Sequence, residues 1–185
     1  MAYGASVTDR LTAADWERTA LEAIAESGLS AVAVEPLARR LGVTKGSFYW
    51  HFPNREALVA AAITRWERDQ LGDLGRAETA DPSAQLQTLV SKALKLLGRP
   101  TVQRRLTAEA EGNRHAAAAL ARVTHARIER IEAIYDAFGL PRKEARARAA
   151  VAYAAVLGLE QIDRVGELRV SESAIVRELL AALTP

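Results

Sequence analysis

Cysteine is absent from the 185 residues, which excludes a disulfide framework and any thiolate-ligated metal centre. The absence fits a reducing compartment. No apolar run approaches the ~18 residues that a membrane span requires. The opening M-A-Y-G-A-S-V-T-D-R lacks the charged-then-apolar order of a secretory signal, so a cytoplasmic chain away from membranes is expected. Aromatics make up only 5% of the residues while alanine is abundant, a balance that favours helices over sheets. Catalytic signals are missing too. The three histidines are His51, His115 and His125, and the last two are ten apart, not the i, i+4 spacing of a helical ligand pair. There is no phosphate-binding loop, dinucleotide fingerprint or G-x-S-x-G elbow, so neither a metal, a cofactor nor an enzyme activity is expected. Glu109 and Glu111 flank a helix break and could sit near a cavity, but acidic residues at loop edges are usually solvated. The net charge of +2 is too small to indicate a partner by its size alone.

What the chain does contain is concentrated in residues 34–58, V-E-P-L-A-R-R-L-G-V-T-K-G-S-F-Y-W-H-F-P-N-R-E-A-L. Val34, Leu37, Ala38 and Leu41 follow helical i, i+3, i+4, i+7 spacing. Gly42 stands where a helix C-terminus takes a residue tolerant of left-handed backbone. Val43 can plug the corner, and Thr44 can cap a second helix with its hydroxyl. Pro53 disfavours helical geometry at Phe52 and keeps that helix short. Two short helices joined at a steep angle by a glycine turn predict a helix-turn-helix.

At about 100° per residue, Phe48 and Phe52 share the core face of the second helix. Trp50 falls nearly opposite, beside Gly46 and Ser47, with Tyr49 and His51 on the shoulders. In a DNA-binding helix-turn-helix the second helix enters the major groove. Gly46 permits close approach there and Lys45 adds charge. Ser47 and Trp50 are the candidates for base contacts, and Lys45, Tyr49, His51 and Arg55 for phosphate contacts, with Lys45 the first of these to reach a base instead. The plainer alternative is a helical corner with Trp50 packed on a neighbour. Charge supports the first reading. From residue 35 to 55, Arg39, Arg40, Lys45 and Arg55 outweigh Glu35 by three. From 9 to 26, Asp9, Asp15, Glu17, Glu22 and Glu26 outweigh Arg10 and Arg18 by three.

With these residues the chain resembles the N-terminal domain of the tetracycline-repressor (TetR) family of transcriptional regulators. The likeness is carried by Gly28, Leu37-Ala38, Gly42-Val43, the run Thr44-Lys45-Gly46-Ser47-Phe48-Tyr49, His51-Phe52, and Asn54-Arg55-Glu56-Ala57-Leu58. It covers about the first quarter to third of the chain. Ala33 departs from the family's usual Ser or Thr ahead of the motif's first helix, a lost cap typically worth ~1 kcal/mol. Pro36 in the first turn partly compensates. The resemblance implies a ligand-released repressor.

Around the motif the pattern is helical throughout. Thr12 and Asp15 form a capping-box pair ahead of a helix lined by Trp16, Ala20, Ala23 and Ile24 and closed by Gly28. Asn54 caps a long helix over 55–71, with Leu58, Ala62 and Trp66 on one side. Residues 72–83 read as a loop. Asp81 and Pro82 start a helix bearing Leu86, Leu89, Val90, Ala93, Leu94 and Leu97, which Gly98 and Pro100 end. A segment over 101–110, a helix to Phe138, a helix from Pro141 to about Val165 and a last helix over 171–183 complete the chain.

The reading is an all-α protein. Residues 1–58 form the three-helix DNA-binding domain, helix 55–71 connects, and 59–185 form a helical ligand-binding and dimerisation domain. Val151, Ala155, Leu157, Ile175 and Leu179 are the expected contacts of a two-fold homodimer. Trp66, Leu94, Leu106, Ile128, Tyr135 and Tyr153 are the candidate lining of a site for a small hydrophobic or aromatic effector, although at helical spacing residues such as Trp66, Tyr135 and Tyr153 are more often core. The expected partner is double-stranded DNA carrying an inverted repeat. A helical dimer serving only as an interaction module, or a small helical enzyme, are the rival readings.

Overall fold

A computed structural model describes residues 11–74, 80–166 and 168–185. The reading of the first ten residues, with Asp9 and Arg10, and the middle of the 72–83 loop lie outside the described residues. Among those described there are nine α-helices and no strand. They cluster in two compact units. One joins the residues up to Trp66 with Val102–Ala116, and the other joins Glu67–Thr101 with Ala117–Pro185.

The first unit begins with α1, Ala13–Ser27. The Asp15 carboxylate accepts from both the Thr12 N–H (2.9 Å) and the Thr12 hydroxyl (2.7 Å), so the orphan donors of the first turn are partly met by a side chain three residues on. Trp16, Ala20, Ala23 and Ile24 are buried along one stripe. Gly28 ends the helix at φ +85°, a conformation that a Cβ makes costly. After a short 3-10 turn, Leu29–Ala31, α2 (Val34–Arg40) starts at Ala33 without a side-chain cap. Gly42, at φ +68°, turns the chain into α3, Lys45–Tyr49. Thr44 stands at the cap position, but its hydroxyl makes no capping bond. The turn closes instead through the Ser47 N–H and the Thr44 carbonyl, at 3.0 Å. Asn54 does cap α4, Arg55–Leu74, accepting from the Ala57 N–H at 2.8 Å.

Trp16 and Phe48 meet edge to face at 5.3 Å and Phe48 stacks on Phe52 at 5.9 Å, which anchors α3 to α1. Burying side chains of this size stabilises by about 1.5–3 kcal/mol each. The Trp16 indole N–H has no acceptor among the described residues, a partial offset of about 1–3 kcal/mol.

A cut after residue 58 does not describe this packing. The first turns of α4 as far as Trp66, and α6 (Val102–Glu109), also belong to the first unit. Leu106 of α6 is fully buried, and α6 packs on α1. Arg105 donates to the Glu26 carbonyl at 2.6 Å and to the Ala25 carbonyl at 3.4 Å, satisfying acceptors that the end of α1 leaves open. Glu109 accepts the Leu29 N–H with both oxygens, at 3.1 and 3.2 Å.

The second unit holds α5 (Pro82–Leu94), α7 (Arg114–Ala137) from Ala117 onward, α8 (Arg142–Arg164) and α9 (Glu172–Leu183). Asp81 caps α5 through Ser83 and Ala84, and Ser171 caps α9 through Ala174. Leu86, Val90 and Leu94, at i, i+4 and i+8, meet Ile134, Ala152, Ile175 and Leu183 in one core. Tyr135 packs on Ala145 and Ala149, small residues that let α8 approach closely. Its hydroxyl donates to the Leu183 carbonyl at 2.8 Å, and burial raises its pKa. Glu67 holds Arg122 in a two-bond ion pair, and this lowers the carboxyl's pKa.

Candidate nucleic-acid interface

α3 presents two opposed faces. Phe48 is fully buried and Phe52 nearly so, whereas Trp50 is 88% exposed and Tyr49 56%. Lys45, Gly46 and Thr44 are exposed, and Ser47 and His51 are half-buried. The plainer corner, with Trp50 packed on a neighbour within the chain, is therefore not what the first unit shows. No side chain crowds the Gly46 position. A Cβ there would find only the Thr44 hydroxyl oxygen within 4 Å, at 3.7 Å. The outward surface of this helix is an indole, a phenol and a hydroxyl around a side-chain-free step.

The local excess of cations is less available than the sequence count implies. Arg40 is held by Glu26 through two bonds, at 2.6 and 3.2 Å. The Lys45 ammonium is 2.9 Å from a Glu35 oxygen, and each raises or lowers the other's pKa toward the charged form. Arg55, expected on phosphate, points its guanidinium inward. Nε donates to the Val32 carbonyl at 2.6 Å and Nη2 to the Leu29 carbonyl at 2.5 Å. The Arg39 side chain is exposed, and its charge also acts on the Glu35 carboxylate.

Two residues outside the sequence-based candidates shape this face. Glu35 and Lys45 are ten apart and meet only because the Gly42 turn folds α2 back beside α3. Glu109 reaches the Leu29 turn across eighty residues, with no local pattern to announce it. Together Glu109 and Arg55 hold both polar backbone groups of Leu29, its N–H and its C=O, just ahead of α2.

The candidate effector residues divide between the units. Trp66 and Leu106 are buried in the first. In the second, Leu94 is in the α5 core, Ile128 packs on the Tyr135 cluster, and the half-buried Tyr153 hydroxyl lies 3.3 Å from that of Thr124. Of the candidate dimer contacts, Val151 and Leu157 are exposed, Ala155 and Leu179 half-buried, and Ile175 sits in the unit's own core. Ile162 of α8 and Val165 just beyond it are exposed as well. No helix among the described residues is long and apolar enough to cross a membrane.

This fold and this face define an all-helical helix-turn-helix protein. Residues 18–62 match the model of the bacterial regulatory proteins of the tetR family. The tetracycline repressor protein class C of Escherichia coli is 46% identical over 44 residues, 24% of this chain and 20% of that protein. The HTH-type transcriptional regulator SrpR of Pseudomonas putida is 36% identical over 77 residues, 36% of each chain. The matches thus span about a fifth and about a third of these relatives' own lengths. Over nearly the whole chain the fold is that of a TetR transcriptional regulator from Legionella pneumophila, with a TM-score of 0.75 at 16% identity, covering 95% of this chain and 98% of that one. Residues 18–62 thus match the tetR-family model, and nearly the whole chain has the fold of a solved TetR regulator.

Proposed function

We propose that this protein is a sequence-specific DNA-binding transcriptional regulator of the cytoplasm, a ligand-released repressor that grips an inverted-repeat operator as a homodimer. It acts by binding, not by catalysis. The observation that carries the reading is the polarity of α3, with Phe48 sealed in the core and Trp50 88% exposed beside Gly46. A soluble helix gains nothing from a bare indole next to a missing side chain, whereas a helix that must lie in a groove gains close approach. Ser47 and Trp50 read base edges. Tyr49 and His51 meet phosphates, Lys45 meets a phosphate or reaches a base edge, and Thr44 stands at the head of the helix. Arg55 acts through its hold on the Leu29 turn.

The dimer forms through the exposed stripe of α8, including Val151 and Leu157, together with the half-buried Ala155 and Leu179. A small hydrophobic or aromatic effector binds in the second unit, where Leu94, Ile128, Tyr135 and Tyr153 provide an apolar lining and the Tyr153–Thr124 pair a polar handle. Such an effector releases DNA only through its differential affinity for the two states.

The test is selection of bound sites from random duplex DNA by the full chain. Enrichment of an inverted repeat with half-site centres about 10 base pairs, or a multiple, apart is the expected result. Retention that is weak, uniform across sequences and abolished by modest salt would point to a helical interaction module instead.

A further inference from the structure

We propose that Glu35 is a specificity-determining residue of the DNA face, and that with Lys45 it reads one G·C base pair in each half-site. The proposal rests on the DNA-binding reading above. Glu35 lies in the first turn of α2 and Lys45 opens α3, and their charged ends meet at 2.9 Å with side chains 63% and 53% exposed. A pair this open contributes little to stability, so the fold does not require it. A carboxylate on a surface that approaches phosphates also weakens every non-specific contact. What the pair offers is an ordered set of hydrogen-bonding groups. An ammonium has three donors. Glu35 takes one, which leaves two beside a carboxylate that retains acceptor capacity.

In the major groove a G·C pair presents the guanine N7 and O6 acceptors and then the cytosine N4 donor. Two donors followed by an acceptor complement that order. An A·T pair presents acceptor, donor, acceptor, which would set the carboxylate against thymine O4 or leave the ammonium facing adenine N6–H. Glu35 thus turns Lys45 from a general cation into half of a base-pair reader.

The experiment is site selection from random duplexes by wild type, Glu35→Ala and Glu35→Gln, followed by affinities for the recovered and scrambled duplexes across a salt series. Wild type is expected to enrich G·C at one position per half-site. Glu35→Ala should lose about tenfold of its discrimination at that position alone, keep its preference elsewhere, and bind scrambled DNA more tightly with a salt slope steeper by about one. Glu35→Gln should melt as wild type and lose part of the same preference. If wild type enriches a site and Glu35→Ala keeps the same preference at every position, or loses it evenly across positions, the role assigned to Glu35 is overturned while the DNA-binding reading stands. If wild type enriches nothing, the DNA-binding reading falls, and this proposal with it.

Discussion

The contact between Glu109 and the Gly28–Leu29 turn should behave as one coupled unit. Both Glu109 oxygens accept the Leu29 N–H, at 3.1 and 3.2 Å. A Cβ built on Gly28 would lie 2.2 Å from Glu109 Oε1. Glu109→Ala removes a charge-assisted bond and strands a part-buried donor, so about 2 kcal/mol of stability should go. Gly28→Ala adds a side chain at φ +85°, a strain of about 1–2 kcal/mol. It also displaces the carboxylate, at the end of a flexible side chain, and so forfeits the same ~2 kcal/mol. The single variant should then lose about 3–4 kcal/mol, and the double variant should lose the same amount instead of the ~5–6 of an additive pair. Trp16, Trp50 and Trp66 all lie in the first unit, so urea unfolding followed by tryptophan emission reports on that unit. Effects of the two substitutions that add to within about 0.5 kcal/mol would refute the coupling and the carboxylate's place on the turn.

Other perturbations have equally definite signs. The Asp15 carboxyl is pushed down from 3.8 to about 2, first by the Thr12 hydroxyl and N–H and then by Arg18. A depressed folded-state pKa gives stability that is present above pH 3.8 and lost as pH falls toward 2. Asp15→Asn should therefore flatten the acid limb of a stability–pH curve within that window and change its shape little at neutral pH. Arg55→Ala, and Arg55→Lys nearly as much, should cost about 2 kcal/mol in urea unfolding, because both lose the forked grip on the Leu29 and Val32 carbonyls. A fully stable Arg55→Ala protein whose salt slope on DNA falls by about one would return Arg55 to the phosphates. Leu157→Arg, at a position 39% exposed, should leave the protomer folded and give monomers by light scattering that bind DNA poorly; an unchanged dimer would remove α8 from the interface.

Much of this architecture was legible because its signals are local. The Thr12–Asp15 pair, Gly28, Gly42, Asn54, Asp81 and Ser171 each mark a helix end by chemistry confined to a few residues, and the helices begin and end beside them. The two faces of α3 followed from angle alone, since Phe48 and Phe52 are spaced by one turn. What escaped depends on contacts across long stretches of chain. The Arg55 guanidinium looked free for phosphate because nothing near it in sequence shows that the Leu29 and Val32 carbonyls converge on it. The capping hydroxyl of Thr44 was expected from residue type, but the turn is closed by backbone. α6 reads as part of a C-terminal domain by position, and it packs with α1 because Leu106, Arg105 and Glu109 find partners some eighty residues away. Arg40 and Lys45 also counted as free cations in the sequence sum, whereas Glu26 and Glu35 hold them.

The central claim is that the outward face of α3 reads DNA, and Trp50 tests it most directly. The measurement is the affinity of Trp50→Ala for the selected operator and for a scrambled duplex across a salt series. Because the indole is 88% exposed, its removal should leave stability unchanged. The expected result is a loss of ~1–3 kcal/mol on the operator, little change on the scrambled duplex and an unaltered salt slope. A Trp50→Ala protein that binds the operator with undiminished affinity and preference would contradict it.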